Sequence, residues 1–145
     1  MYSCITSELG GVKPGLDAVC ILVTFKLPLV VIIRIDEYLS AEGENHFRKW
    51  FDKLPVEYAS KVAAARARIM AGNLGNVKPI DGTLKEYRID WGPGIRVYLI
   101  QDGGRLIVLL GGGTKSGQSA DIRKAKKLRD EYFIRKCSMK KVSKE

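Results

Sequence analysis

The feature that most constrains this chain is a switch to period two after residue 83, cut by glycine-rich turns. Residues 84–90 (LKEYRID) alternate apolar and polar and read as a strand, IRVYLIQ at 95–101 reads as a second, and Gly92-Pro93-Gly94 lies between them. Asp102-Gly103-Gly104 then precedes RLIVLL at 105–110, and Asp-Gly pairs favour the tight turns that join antiparallel strands. Alternation places every second side chain on the same face of a sheet. Three short strands in a row with tight turns form an antiparallel meander. The third is more fully apolar and is therefore expected to be more central.

The segments before and after the meander carry a different period. Leu29 to Tyr38 is rich in β-branched residues and is predicted as a strand, followed by a turn at 39–43. In 44–54, Phe47, Trp50, Phe51 and Leu54 fall on one helical face. Pro55 suits the first turn of a second helix over 56–71, with Tyr58, Val62, Ala65 and Ile69 inward, ended by Gly72 and Asn73. A last helix is predicted from Gln118 to Arg135, with Ser116 as its N-cap and Ile122, Ala125, Leu128 and Tyr132 as its buried stripe. The order is β-α-α-β-β-β-α. The fold class is therefore α+β, a small antiparallel sheet with an N-terminal helical hairpin and a C-terminal helix on one face. The other face is expected to be open.

Composition narrows the function classes. The 145 residues include 25 Lys and Arg against 16 Asp and Glu, a net charge of +9. Eleven of the basic and four of the acidic residues lie in 115–145, so the excess is C-terminal. That pattern fits either a solvated helix face with a basic tail (137–145) or a polyanionic partner. Cys4, Cys20 and Cys137 show no metal-binding or disulfide spacing, consistent with a reducing cytoplasm, and His46 is the single histidine. No metal ligand set and no cofactor motif is read. The apolar run 18–35 is interrupted by Lys26 and Pro28, which argues against a membrane span. Residues 1–28 read as an extension, or as upstream sequence from a misplaced start; the domain is expected over 29–136.

The meander carries the residues with chemistry. Arg88 and Arg96 sit on adjacent strands with Tyr87 and Tyr98 interleaved, Lys78 and Lys85 flank the entry, and Lys115 follows the triple glycine. Cations for phosphate and rings for bases are what a single-stranded nucleic-acid surface needs, though exposed arginines and half-buried tyrosines are also ordinary on strands. Glu86 and Asp90 flank Arg88 and fit salt bridges as well as acid–base work. GGGTKSG lacks the spacing of a phosphate loop for nucleoside triphosphates. Its glycines fit a bend before a helix, with or without an anion on the helix N-terminus. His46 is expected on a helix surface, away from the meander.

The runs EYLSAEGENHFRKWFDKLP, AGNLGNVKPI and EYRIDWGPGIRVYLIQDGGRLIVLLGGGTKSGQSADIRKAK, in this order, resemble the RelE/ParE superfamily of toxins. Within it the chain is similar to the HigB-like "addiction module killer protein" branch of type II toxin–antitoxin systems. The resemblance spans about residues 31–136 and has no counterpart for 1–28. It implies a RelE-like fold and a metal-independent endoribonuclease that cleaves mRNA on the ribosome and inhibits translation. It implicates Arg88, Arg96 and Lys115 as catalytic, with Tyr98 or Tyr87 orienting the attacking hydroxyl or protonating the leaving oxygen. Lys78, Lys85 and Arg123 would hold RNA. Ile95 stands where an aromatic usually precedes the hairpin arginine. The partners implied are a cognate antitoxin in a hetero-oligomer, mRNA and the ribosome. Some superfamily members instead poison DNA gyrase, and a decayed toxin would retain only antitoxin binding.

Overall fold

The computed structural model describes residues 31–143; the expected 1–28 extension and the first residues of the expected strand lie outside them. The described elements are β1 (Arg34–Glu37), α1 (His46–Phe51), α2 (Val56–Met70), β2 (Val77–Asp81), β3 (Leu84–Ile89), β4 (Ile95–Asp102), β5 (Leu106–Thr114) and α3 (Gln118–Val142). They form an α+β fold around a five-stranded sheet of order β1-β5-β4-β3-β2. The meander β2 to β5 is antiparallel, and β1 joins β5 in parallel.

Sequence reasoning missed β2. Its VKPID lacks an apolar alternation because it is a half-exposed edge strand, and a proline is tolerated there. A second difference is larger. The sheet is covered on both faces, not one. Ile95, Val97, Leu99, Ile107 and Leu109 face α1 and α2 with Phe47, Val62, Ala65 and Ile69. Leu84, Tyr98, Ile100, Val108 and Leu110 face α3 with Ala125 and Leu128. Alternation along β4, and along β5 as far as Leu110, feeds both cores, which is why IRVYLIQ and RLIVLL carry apolar residues at nearly every position. Each fully buried Leu or Ile here contributes on the order of 1.5–3 kcal/mol.

The helical hairpin is tied to the sheet by charge as well as packing. Glu37 on β1 accepts from Arg48 Nη2 at 2.6 Å and Arg66 Nη1 at 3.0 Å. Asn45, which caps α1 through Arg48 N, also donates to Glu37. Burial alone would raise the Glu37 carboxyl; Asn45, Arg48 and Arg66 outweigh it and hold it below its ordinary value.

Two expectations about the last helix are corrected. Ser116 is not its N-cap: residues Lys115–Gly117 form a single 3-10 turn, and the Ser116 hydroxyl pairs with that of Thr114. The helix does not stop at Arg135 before a tail but continues to Val142. Arg135 donates to the Leu39 carbonyl and Lys136 pairs with Asp102, so contacts with the body tie down the start of this added length.

The glycine run is also not a bend. Gly111, Gly112 and Gly113 lie within β5. The register slips between Tyr98 and Leu99, so Tyr98 pairs with Gly111 and Leu99 with Leu109. Leu110 is the extra residue of a β-bulge, which reverses the alternation after it. Gly112 then faces the helical hairpin, where a Cβ would sink into the Trp50 ring, and Gly113 faces α3, where one would overlap the Asp121 carboxylate. Glycine is needed at both positions for close approach.

Candidate nucleic-acid interface

The β3–β4 register sets the centre of the site. Arg88 is directly opposite Arg96, and Glu86 directly opposite Tyr98. Period two puts all four on the α3 face, in two adjacent rows. The row of Glu86 extends to Lys78 on β2 and Gly111 on β5; the row of Arg96 extends to Gly113. Like charges in opposed positions repel, so the arginine pair requires a counter-ion.

Glu86 is that counter-ion. It is 1% exposed. Its Oε1 accepts from Arg88 Nε at 2.6 Å and Arg96 Nη1 at 3.0 Å. Its Oε2 accepts from Gln118 Nε2, at the start of α3, at 3.2 Å. One buried carboxylate thus holds two guanidinium groups side by side. The Arg96 side chain is 11% exposed, whereas that of Arg88 is 45% exposed and keeps donors for an outside anion.

The turn that carries the arginines is fixed from below. Gly92 and Gly94 adopt positive φ, +59° and +78°, and Gly92 leaves room for the Tyr58 ring. Trp91 packs edge-on against Tyr58, with Lys61 over its ring. Lys115 is exposed and its backbone N–H bonds the Gly94 carbonyl at 3.1 Å, which brings it to the arginine end of the sheet. Lys78 is exposed on the neighbouring edge strand, on the same face as Glu86.

Tyr98 is 1% exposed, and its hydroxyl has no hydrogen-bond partner among the described residues. Burial, with the Asp121 and Glu86 carboxylates adding to it against Arg96, pushes this hydroxyl up to about 12. It is protonated at neutral pH and can donate a hydrogen bond. Burial also raises the Asp121 carboxyl, opposed by Lys124.

Other candidates are not brought together. Tyr87 is 2% exposed and packs in the core under the helical hairpin, on the opposite face from Arg88. Lys85 points to that same face, where it pairs with Gln101. Both shifts follow from period two: odd-numbered residues of β3 cannot share a face with Arg88. Arg123 is exposed on α3 two positions from buried Ala125, across the helix from the stripe that covers the sheet. Ile95 is 1% exposed and belongs to the hairpin core, so a larger ring there would face away from the arginines.

His46 corrects the expectation in the other direction. It is half-buried at the start of α1, with Glu44 3.6 Å from Nε2, and lines a cavity shared with Tyr98. Its nearness to β5 depends on the glycines that let α1 approach, which helix periodicity does not reveal. Asp121 was equally hidden, because only the bulge in β5 turns Gly113 toward it, and so was Gln118, which reaches Glu86 from another element. Glu86 was legible: an acid two residues from Arg88 on one strand face is a built-in ion pair.

Among the described residues no helix is long and apolar enough to cross a membrane. No model of a known protein family matches the chain. An uncharacterized protein of Haemophilus influenzae is 42% identical to it over 89 residues, which is 61% of this chain and 90% of the relative. At that identity and coverage the chain belongs to the same family as the Haemophilus influenzae protein.

Proposed function

We propose that this protein is the toxin of a type II toxin–antitoxin module of the RelE/ParE superfamily, HigB-like branch, and acts as an endoribonuclease on mRNA. The observation that carries the reading is the pair Arg88 and Arg96, opposed across β3 and β4 and held together by buried Glu86. A pair of guanidinium groups at the rim of a sheet, with Lys115 and Lys78 nearby, is a phosphate-binding arrangement. The observed α+β architecture, with its mostly antiparallel sheet and C-terminal helix, supports the reading at the level of fold class.

The chemistry balances without an external nucleophile. The 2′-hydroxyl oxygen of one ribose bonds to the adjacent phosphorus as the bond to the 5′-oxygen breaks. The 2′-proton leaves to water and the 5′-oxygen takes a proton from water, giving a 2′,3′-cyclic phosphate and a 5′-hydroxyl. Arg88, the more exposed guanidinium, meets the non-bridging oxygens as negative charge builds on them. Arg96 is committed to Glu86 and holds the local field in place. Lys115, exposed at the arginine end of the sheet, adds a further cation for the phosphate oxygens, and Tyr98, held protonated by burial, is not a base. An mRNA on the ribosome is the substrate, and an antitoxin that is acidic or amphipathic covers this basic surface.

The test is inducible expression of the full chain, wild type and Arg88→Ala, with growth scored and mRNA 5′ ends mapped. Growth arrest with new 5′-hydroxyl ends, both reduced at least a hundredfold in Arg88→Ala, is expected. Arrest with intact mRNA and a DNA-damage response would instead assign the gyrase-poison activity. No arrest from folded protein would leave only antitoxin binding.

A further inference from the structure

β1 ends opposite Leu109, so it does not flank the rest of β5. Beside that open edge, between α1, the glycines and the first turns of α3, lies a cavity of about 420 Å³. This is within the range of about 300–1,000 Å³ that small organic ligands occupy. Its floor is Gly111, where an added Cβ would meet nothing within 4 Å. Its walls include the Trp50 ring, Tyr98 and Asp121. Three exposed lysines, Lys49, Lys53 and Lys124, also line it. Lys49 is paired with Glu44, whereas Lys53 and Lys124 have no ion-pair partner among the described residues.

Two observations point to a ligand there. A buried hydroxyl without a partner is costly, and Tyr98, 1% exposed, carries one in the cavity wall. The lining also differs in exposure: the Trp50 ring, the Tyr98 hydroxyl and the Asp121 carboxyl belong to buried or half-buried residues, whereas the three lysines, with Glu44 and His46 beside them, are the more open part. A nucleotide has a base for the first part and a phosphate for the lysines. The cavity lies beside the arginine pair in the sheet: Tyr98 is the cross-strand neighbour of Glu86, and Asp121 lies over Gly113, opposite Arg96.

We propose that this cavity is a nucleotide subsite, which takes one unstacked base of the bound RNA against Trp50 and Tyr98 and its phosphate on Lys53 and Lys124. The inference rests on the ribonuclease reading for the identity of the chain that carries the nucleotide. The Tyr98 hydroxyl gains its missing partner from the base edge, and the neighbouring phosphodiester is delivered toward Arg88.

The test is an NMR titration of the full chain with a short RNA oligonucleotide and, separately, with free 5′-mononucleotides. The probes are the Trp50 indole N–H, assigned with Trp91→Phe, and the Gly111 amide. Both ligands are expected to shift both signals. Tyr98→Phe should weaken binding about fivefold or more. Gly111→Val, whose side chain would fill the cavity from a strand position, should abolish the Trp50 indole shift, and exposed Lys124→Ala should weaken both shifts without affecting the fold. Absence of shifts with either ligand, or unchanged affinity in these variants when unfolding curves show them folded, overturns the proposal. Binding of free nucleotides but not of RNA overturns the RNA assignment. RNA that binds in the cavity while mRNA remains intact in expressing cells refutes the ribonuclease and leaves the subsite standing.

Discussion

Replacing Glu86 by Gln tests whether one buried carboxylate organises this site. The substitution keeps the volume and one acceptor but removes the charge. Arg96, with a side chain 11% exposed, then lies in a largely dry position without its carboxylate. Removing one partner from a buried pair costs about 3–5 kcal/mol. The Arg88 part of that must be discounted, because its side chain is 45% exposed and water replaces the lost bond. Retention of a Gln carbonyl as acceptor reduces the cost further, leaving about 2 kcal/mol. For a domain of roughly 100 residues each kcal/mol moves the melting temperature by about 4–8 °C, so Tm should fall by about 10 °C. The assay is thermal unfolding followed by circular dichroism at neutral pH. Arg88→Ala, which leaves the Glu86–Arg96 pair in place, should cost less than about 1 kcal/mol in the same assay. A Glu86→Gln protein that melts within 2 °C of wild type, or no lower than Arg88→Ala, would refute the account of Glu86 as a shared counter-ion.

Tyr98→Phe removes a buried hydroxyl that has no partner, so it should raise stability by about 1 kcal/mol in denaturant unfolding, although it weakens nucleotide binding. Gly112→Ala drives a methyl group into the rigid Trp50 ring and should cost about 2–3 kcal/mol, while Gly113→Ala meets only the movable end of Asp121 and should cost less; equal losses in urea midpoints would contradict this. Lys136, then Tyr132, hold the Asp102 carboxyl below its ordinary value of 3.8. Since the folded state binds that proton less readily than the unfolded state, the contribution is full above pH 3.8 and is lost as pH falls through the depressed folded value. Asp102→Asn should therefore narrow the stability difference between pH 5 and pH 2, and an unchanged difference counts against the pairing.

How far residues alone disclose this molecule depends on whether a feature is local. The inward face of α2, with Val62, Ala65 and Ile69, was legible because helix period and burial coincide within one segment. So were β3 and β4, where alternation and the Gly92-Pro93-Gly94 turn agree. β2 was not, since an exposed edge strand gains its structure from pairing with β3 rather than from its own pattern. The second covered face was present in the apolar density of IRVYLIQ and RLIVLL, but that density also fits one deeply buried strand.

The site shows the same division more sharply. Arg88 and Arg96 share a face because the count outward from a short turn is even for both, a relation that strand period carries. Tyr87 was a poor companion for the same reason: one position from Arg88 is the wrong side of the sheet. The opposite end of the site depends on a single extra residue. Were Leu110 paired in register with Tyr98 instead of bulged, Gly111 would move opposite Val97, Gly113 would face the helical hairpin, and Gly112 would lie under α3. Three consecutive glycines tolerate either phase, so their own sequence is silent on it. The register is decided by side chains on other elements that claim the space: Trp50 from α1 on one face and Asp121 from α3 on the other. The triple glycine thus provides contact rather than flexibility. It lets two helices from opposite faces close on the strand that borders both the arginine pair and the cavity.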